Sequence, residues 1–379
     1  MTILFCTLTL MVSVFSVFKK NNDFSPLEYR ILQHPERPDV QGVVSGDYFA
    51  GFERGNLDQV IGRDFFIVLD SRLQRLIGKH EVNAIIVGRK GSLLRWENDC
   101  YDCDYNIPRE FDGPEFDLLQ KIKAATDSYG GYMYYMNIYP RETYMWDRYV
   151  YPQKDAVVIC HEKNANLLQY YENAGIDCVD TYPIFENDPD DYLYFNTDHH
   201  YTFRAAYYCY KELLASVNAV RIAEGKESLT IPEWDEMEYF EVPGKFEGRL
   251  SGVLGDLDYN GDDHLDYALP YDYPVRFDRF EYTEPVEAET IRSEGAPEYG
   301  YFMDGDNGNT VVKTYREDLP NILIIGCSYS NALEVLAVYN FNEMHSIDPR
   351  YFEEDIAEYI KKNRIDHVVV QGELVTNLE

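Results

Sequence analysis

Two short segments of this chain carry residue types that can do acyl chemistry together. The first, Asn196-Thr197-Asp198-His199-His200-Tyr201-Thr202, offers a carboxylate two residues before an imidazole. The second, Gly326-Cys327-Ser328-Tyr329-Ser330-Asn331, offers a hydroxyl directly after an apolar run. Acyl transfer needs a nucleophile, a base that takes its proton and donors for the developing oxyanion. In this pairing Ser328 attacks, His200 accepts the proton, and Asp198 fixes the imidazole tautomer and steadies the imidazolium. The backbone N–H of Ser328 is one oxyanion donor, with Asn331 or Arg350 as a side-chain donor. His199 and Tyr201 flank the base as candidates for substrate contact. Cys327 is a second conceivable nucleophile, but the residue before a serine at a strand-to-helix elbow usually points into the core.

Each segment also has a plainer reading. A His-His pair ahead of a helix is commonly a capped surface turn, and Gly-Cys-Ser after a strand is an ordinary loop entry. The combination matters because each segment supplies what the other lacks. A metal site on Asp198, His199 and His200 is weaker, since one loop lacks a distant ligand and the chain has no HExxH pair. The stretch Asp256 to Asp266 resembles a calcium loop in its first half, but Asp263 and Tyr267 stand where an apolar residue and a bidentate Glu belong, so an acidic turn leading into a strand near Leu265 is the simpler account. The tyrosines of 129–151 could stack on sugar rings, although the alternation from Tyr132 fits a core strand better. They keep open a non-enzymatic alternative: a polysaccharide-binding protein on a degenerate hydrolase fold.

These residues need a scaffold. Short β-branched runs at Val82–Val87, Asp155–Cys160, Asn321–Gly326 and Asp366–Gln371 read as strands buried on both faces, the pattern of a parallel sheet. Helical patterns lie at Ala165–Ala174, Phe203–Val217 and Tyr351–Asn363, and a short helix is expected from Asn331. Alternating strands and helices imply an α/β sandwich. Thr197 or Asp198 is placed to cap the helix beginning near Phe203. Trp234–Val312, rich in Asp, Tyr, Gly and Pro, reads as a loop and hairpin insertion beside the sheet.

Acidic residues outnumber basic ones 67 to 34, giving a net charge of −33. Such a chain repels a phosphate backbone, which excludes nucleic acid as a partner. Ile3–Phe18 is apolar and ends at Lys19-Lys20, so residues 1–20 read as a signal anchor or signal peptide, and 21–379 as one continuous domain. The lysines lie on the C-terminal flank, the reverse of what the positive-inside rule asks of an exported chain. Seven cysteines are too few for a disulfide scaffold. Cys100 and Cys103 read as a local disulfide or two free thiols, Cys6 lies in the apolar run, and Cys160 and Cys209 read as core.

The stretch from Thr197 to Thr202 resembles the motif of the bacterial DHHW family. Further similarity lies in Phe24-Ser25, Glu28-Tyr29-Arg30, Asp58-Gln59, Gly62-Arg63-Asp64, Phe246-Glu247-Gly248, Ser251-Gly252, Ser328-Tyr329 and Ile347 to Phe352. The resemblance therefore runs from about Phe24 to the C-terminus. It implies an SGNH-hydrolase-like three-layer sandwich, as in the alginate O-acetyltransferases, and a triad of Asp198, His200 and Ser328 acting without cofactor or metal. The implied substrate is the acetyl groups of an envelope or secreted polysaccharide, with transferase and esterase directions both open. Acetyl-CoA is absent outside the cell, so an extracytoplasmic transferase would draw its acyl group from a membrane partner. This chain departs from the family pattern at Tyr201, where the motif has Trp, and at Cys327, where an Asp or comparable polar residue is usual.

Overall fold

The structure, a computed structural model, describes residues 2–28, 30–35, 37, 40–95, 114–138, 141–145, 148, 154–187, 192–246, 248–259, 261–274, 276–287, 289–292 and 294–372. The Cys100/Cys103 pair and the side chain of Cys160 lie outside what is described. The chain forms two compact units.

The larger unit comprises Glu97–Phe195, His199–Phe246 and Asp262–Glu379. Its sheet has eight strands: β1 (Tyr132–Met136), β2 (Asp177–Val179), β3 (Asp278–Glu281), β4 (Glu284–Val286), β5 (Asn309–Lys313), β6 (Ile322–Ile325), β7 (Glu343–Ile347) and β8 (His367–Gln371). They lie in the order β4-β3-β5-β7-β6-β8-β1-β2. From β7 to β2 every pairing is parallel, while β5, β3 and β4 extend the sheet antiparallel. The crossovers carry helices: α1 (Pro114–Asp127) precedes β1, α2 (Lys154–Asn173) joins β1 to β2, α4 (Asn331–Asn340) joins β6 to β7, and α5 (Ile356–Asn363) joins β7 to β8; α3 (Phe203–Ala223) follows β2 and packs on α4.

Strand residues alternate between two covered faces. Met133, Tyr135, Leu323, Ile325, Val368 and Val370 pack with residues of α1, α2 and α5, while Ile322, Ile324 and Val369 on the opposite face are equally buried. Burial on both faces is why β6 and β8 are apolar throughout rather than alternating. The chain leaves β6 toward β7 on one side, and β8 pairs on the other. The C-terminal edge of β6 is thus a switch point of the sheet, where open α/β folds place their ligands.

The smaller unit comprises Met1–Trp96, Asn196–Asp198 and Glu247–Gly261. It contains a three-stranded antiparallel sheet of Glu81–Val82, Ile85–Val87 and Leu93–Arg95, whose Val82, Ile85 and Leu93 pack on Leu250 and Leu254. The segment 196–198 is tied in by backbone bonds from Leu93 N–H to the Asn196 carbonyl (2.8 Å) and from Leu250 N–H to the Thr197 carbonyl (2.9 Å). Gly248 permits this approach, for a Cβ there would lie 2.1 Å from the Thr197 hydroxyl oxygen.

Several expectations are corrected. Asp155–Cys160 is the opening of the helix α2, not a strand; an apolar run this short is ambiguous, and no Gly or Pro separates it from the helical pattern that follows. Val82–Val87 is a hairpin outside the parallel sheet, turning at Asn83 and Ala84, both at positive φ, as a two-residue hairpin loop requires. Glu343–Ile347 supplies a parallel strand that its polar residues concealed. The helix expected from Tyr351 starts at Ile356, where Asp355 caps it by accepting the Glu358 N–H at 2.9 Å. The tract 234–312 is more than an insertion, since β3, β4 and part of β5 belong to the main sheet. Cys209 is core, as expected. Thr2–Phe18 is helical, and no helix among the described residues is long and apolar enough to cross a membrane.

Candidate active site

Ser328 follows β6 after two residues. Gly326 donates its N–H to the Ile347 carbonyl at 3.1 Å, which ties the end of β6 to the end of β7. A single 3-10 turn, Ser328–Ser330, then leads into α4. This strand–turn–helix path exposes the serine at the sheet edge and sets it at the start of helical backbone, where N–H groups gather.

His200 reaches the same point from the loop before α3. Its backbone carbonyl accepts the Phe195 N–H at 3.2 Å, and Thr202 N–H donates to the Leu193 carbonyl at 2.8 Å, closing a small β-bridge between Tyr194 and Tyr201. The cap of α3 is Thr202, whose hydroxyl oxygen accepts the Ala205 N–H, in place of the expected Thr197 or Asp198. The cap lies two residues from His200, so the helix start still anchors the imidazole-bearing loop.

The Nε2 of His200 lies 2.7 Å from the Ser328 Oγ, a hydrogen bond within the larger unit. The imidazole is buried and stacked flat on the Tyr299 ring, with centroids 3.9 Å apart and planes 3° from parallel. The Tyr329 ring flanks it at 4.9 Å, and that residue's hydroxyl donates to the His199 carbonyl at 2.8 Å. Both rings restrict imidazole rotation, and neither was assigned a role from sequence. Tyr299 is 99 positions from His200, so no local spacing could reveal it.

Tyr201 is buried with its hydroxyl donating to the Tyr329 carbonyl, while Gln371 Nε2 donates to the Tyr201 oxygen at 3.2 Å. It braces the loop that carries Ser328 rather than facing a substrate. His199 is half-buried, its ring 3.9 Å from that of His200. Asp198, in the smaller unit, is buried and accepts the Arg249 backbone N–H at 3.0 Å. Asn331 and Arg350 converge on Asp306: Asn331 Nδ2 donates at 3.1 Å, and Arg350 donates at 2.6 Å while its fork also engages Asp348. Both proposed side-chain oxyanion donors are therefore partnered by carboxylates, and the Asp348 hydrogen bond holds the Arg350 guanidinium firmly charged. A polar cavity of about 10 Å³, one water in size, lies between Asp306, Cys327, Ser330, Asn331, Glu334 and Asp348.

Among the described residues, the His, Cys, Asp and Glu side chains grouped as a metal site needs are the consecutive Asp198, His199 and His200. The Nε2 of His200 is already bonded to Ser328. In the calcium-like stretch, the Asp256 carboxylate is held by Arg72 and Arg75, and Asp263 accepts the Tyr192 hydroxyl at 3.0 Å. Ion pairs and hydrogen bonds thus account for these acids without a cation. Tyr134 and Tyr135 are buried in the sheet and offer no stacking face.

No model of a known protein family and no curated protein matches this sequence. Solved structures do match it in fold. A DHHW family protein from Eubacterium siraeum is 20% identical, with a TM-score of 0.53 over 67% of this chain and 81% of that one. PatB1 from Bacillus cereus, in a structure with a sulfonyl adduct, is 16% identical, with a TM-score of 0.52 over 70% of this chain and 88% of its own. A second PatB1 structure gives 16% identity, a TM-score of 0.50, and coverage of 70% and 90%. The α/β fold of this chain, with its large and mostly parallel sheet, is the fold of these proteins.

Proposed function

We propose that the protein is a serine-dependent acyltransferase or esterase that moves acetyl groups to or from a cell-envelope or secreted polysaccharide. The observation that carries this is the 2.7 Å contact between His200 Nε2 and Ser328 Oγ at the switch point of the sheet. Ser328 Oγ attacks the acyl carbonyl as its proton passes to His200 Nε2, and the carbonyl oxygen becomes an oxyanion held by the Ser328 N–H. Collapse expels the donor's oxygen, which takes the proton from His200, and leaves Ser328 acylated. A sugar hydroxyl or water, deprotonated by His200, then attacks the acyl-serine and regenerates the hydroxyl. Asp198, two residues before His200, holds the imidazole tautomer throughout. The step needs neither metal nor cofactor, so turnover unchanged by a chelator is expected, and a loss restored by zinc would favour the metal reading of Asp198, His199 and His200.

The fold shared with a DHHW family protein and with PatB1 supports this reading. In the transfer direction the acyl group comes from a membrane donor protein, and residues 1–20 direct the enzyme out of the cytoplasm, as a retained anchor or as a signal peptide. The direct test compares wild type with Ser328→Ala on a simple acetyl ester. We expect the variant to lose at least about 10³-fold in turnover with its fold intact. Equal turnover by both proteins would exclude the serine, and glycan binding without any turnover would select the polysaccharide-binding alternative.

A further inference from the structure

Behind the nucleophile lies a buried acid that the mechanism above leaves unused. Glu334, in the first turn of α4, is fully enclosed, and its Oε1 lies 2.6 Å from Ser330 Oγ and 2.7 Å from Ser346 Oγ. The Ser330 Oγ also lies 2.8 Å from the Cys327 carbonyl, which accepts the Ser330 N–H at 2.9 Å as well. Ser330 has one hydroxyl hydrogen and two acceptors competing for it. The contested carbonyl belongs to the peptide whose N–H is that of Ser328.

We propose that Glu334 is a positioning residue acting through Ser330: its proton decides whether the Ser330 hydroxyl holds the Cys327 carbonyl, and so how firmly the Ser328 N–H is presented to an oxyanion. This rests on the reading of Ser328 as nucleophile. When Glu334 is ionised, Oε1 draws both serine hydroxyls, and the Cys327 carbonyl keeps only the Ser330 N–H. When Glu334 is protonated, its O–H donates to Ser330 Oγ, whose hydrogen turns to the Cys327 carbonyl. That second bond fixes the peptide and polarises its N–H, making it a better oxyanion donor. The protonated form is the more active one.

The surroundings put this proton within reach of ordinary pH. Burial pushes the Glu334 carboxyl up to about 7, against the lowering effect of the Ser330 and Ser346 hydroxyls and the Arg279 charge, with Asp306 adding to the rise. Arg279 comes from β3 and Asp306 from the loop before β5. From the turn after β7 the nearest charges are Asp348 and Arg350, which neutralise each other. Cys327 and Asn331 complete the wall of the shared cavity.

The test is the pH profile of kcat/KM for wild type, Glu334→Gln and Ser330→Ala on an acetyl ester, with Ser328→Ala in the same assay. Glutamine is neutral and of the same shape; with Nε2 in the place of Oε1 it donates one hydrogen to Ser330 Oγ, as the protonated acid does, and its other hydrogen meets Ser346 Oγ. We expect Glu334→Gln to match wild type within about threefold near pH 6 and to lack the alkaline fall near pH 7, so that the ratio of variant to wild type rises by up to about tenfold by pH 8. Ser330→Ala should also lack that fall, with kcat/KM about tenfold below wild type near pH 6 and close to it by pH 8. A Glu334→Gln profile that keeps the wild-type fall, or a folded variant uniformly impaired at every pH, would overturn the proposal. If Glu334→Gln does not fold, Ser330→Ala decides alone, and a retained fall there overturns it equally. Full turnover by Ser328→Ala would instead overturn the nucleophile.

Discussion

His200 is held by ring contact as much as by hydrogen bonding, and its neighbours give the sharpest predictions. Tyr299→Phe loses the hydroxyl bond to the Tyr329 carbonyl at 3.3 Å and keeps the stacked ring, so turnover should stay within about twofold. Tyr299→Leu removes the flat face, and kcat should fall by about tenfold or more as the imidazole gains rotational freedom. Equal kcat for the two would show that stacking does not position the base. Asp198→Asn should lower kcat on the order of 10³- to 10⁴-fold with little change in folding, as expected where a carboxylate sets an imidazole tautomer. Cys327→Ala should keep at least about a third of wild-type turnover; a collapse matching that of Ser328→Ala would reopen the thiol as nucleophile. The meeting of Ser328 with His200 was legible in sequence because a strand end and a helix start confine each of them locally. Tyr299, Tyr329 and Glu334 were not, because their roles arise from packing between distant segments.

At the scale of elements, β8 and α4 carry buried ionisable groups with opposite effects on stability. Burial in β8 depresses His367 from 6.5 to about 4, with Arg221 adding to the effect, and the ring rests between Tyr132 and Tyr134. The unfolded chain therefore binds this proton more tightly, and its contribution is present above about pH 6.5 and lost as pH falls toward 4, roughly 3 kcal/mol in all. Glu334 runs the other way. Its folded value of about 7 exceeds the ordinary value of 4.5, so its contribution is full below 4.5 and is lost as pH rises through 7. Denaturant unfolding across pH 4.5 to 7 should show His367→Gln with a shallower rise, or a steeper fall, in stability with pH than wild type. Glu334→Gln should show the reverse. Matching slopes for all three proteins would contradict both assignments. The strands β6 and β8 were legible because burial on both faces leaves an unbroken β-branched run. The opening of α2 was not, because the same kind of run also begins a buried helix, and β7 was hidden by Glu343, His345 and Ser346, which its surroundings satisfy individually.

For the whole molecule, a net charge of −33 argues against nucleic acid and suits a protein kept in solution beside a surface. The smaller unit shows apolar side chains to solvent along Arg63–Leu76, with Phe65, Leu69, Leu73 and Leu76 at helical spacing. If residues 1–20 provide the tether, a chain lacking them should leave the membrane fraction while keeping its turnover of a soluble acetyl ester. Loss of turnover on release would show that the segment does more than tether. The central claim, that Ser328 is an activated nucleophile, is tested most directly by reacting the protein with an aryl sulfonyl fluoride and mapping the adduct by peptide mass spectrometry. The account predicts one adduct, on Ser328, which disappears in Ser328→Ala and is strongly slowed in His200→Ala. A folded wild-type protein that takes up no reagent, or takes it up elsewhere with Ser328 unmodified, would contradict it.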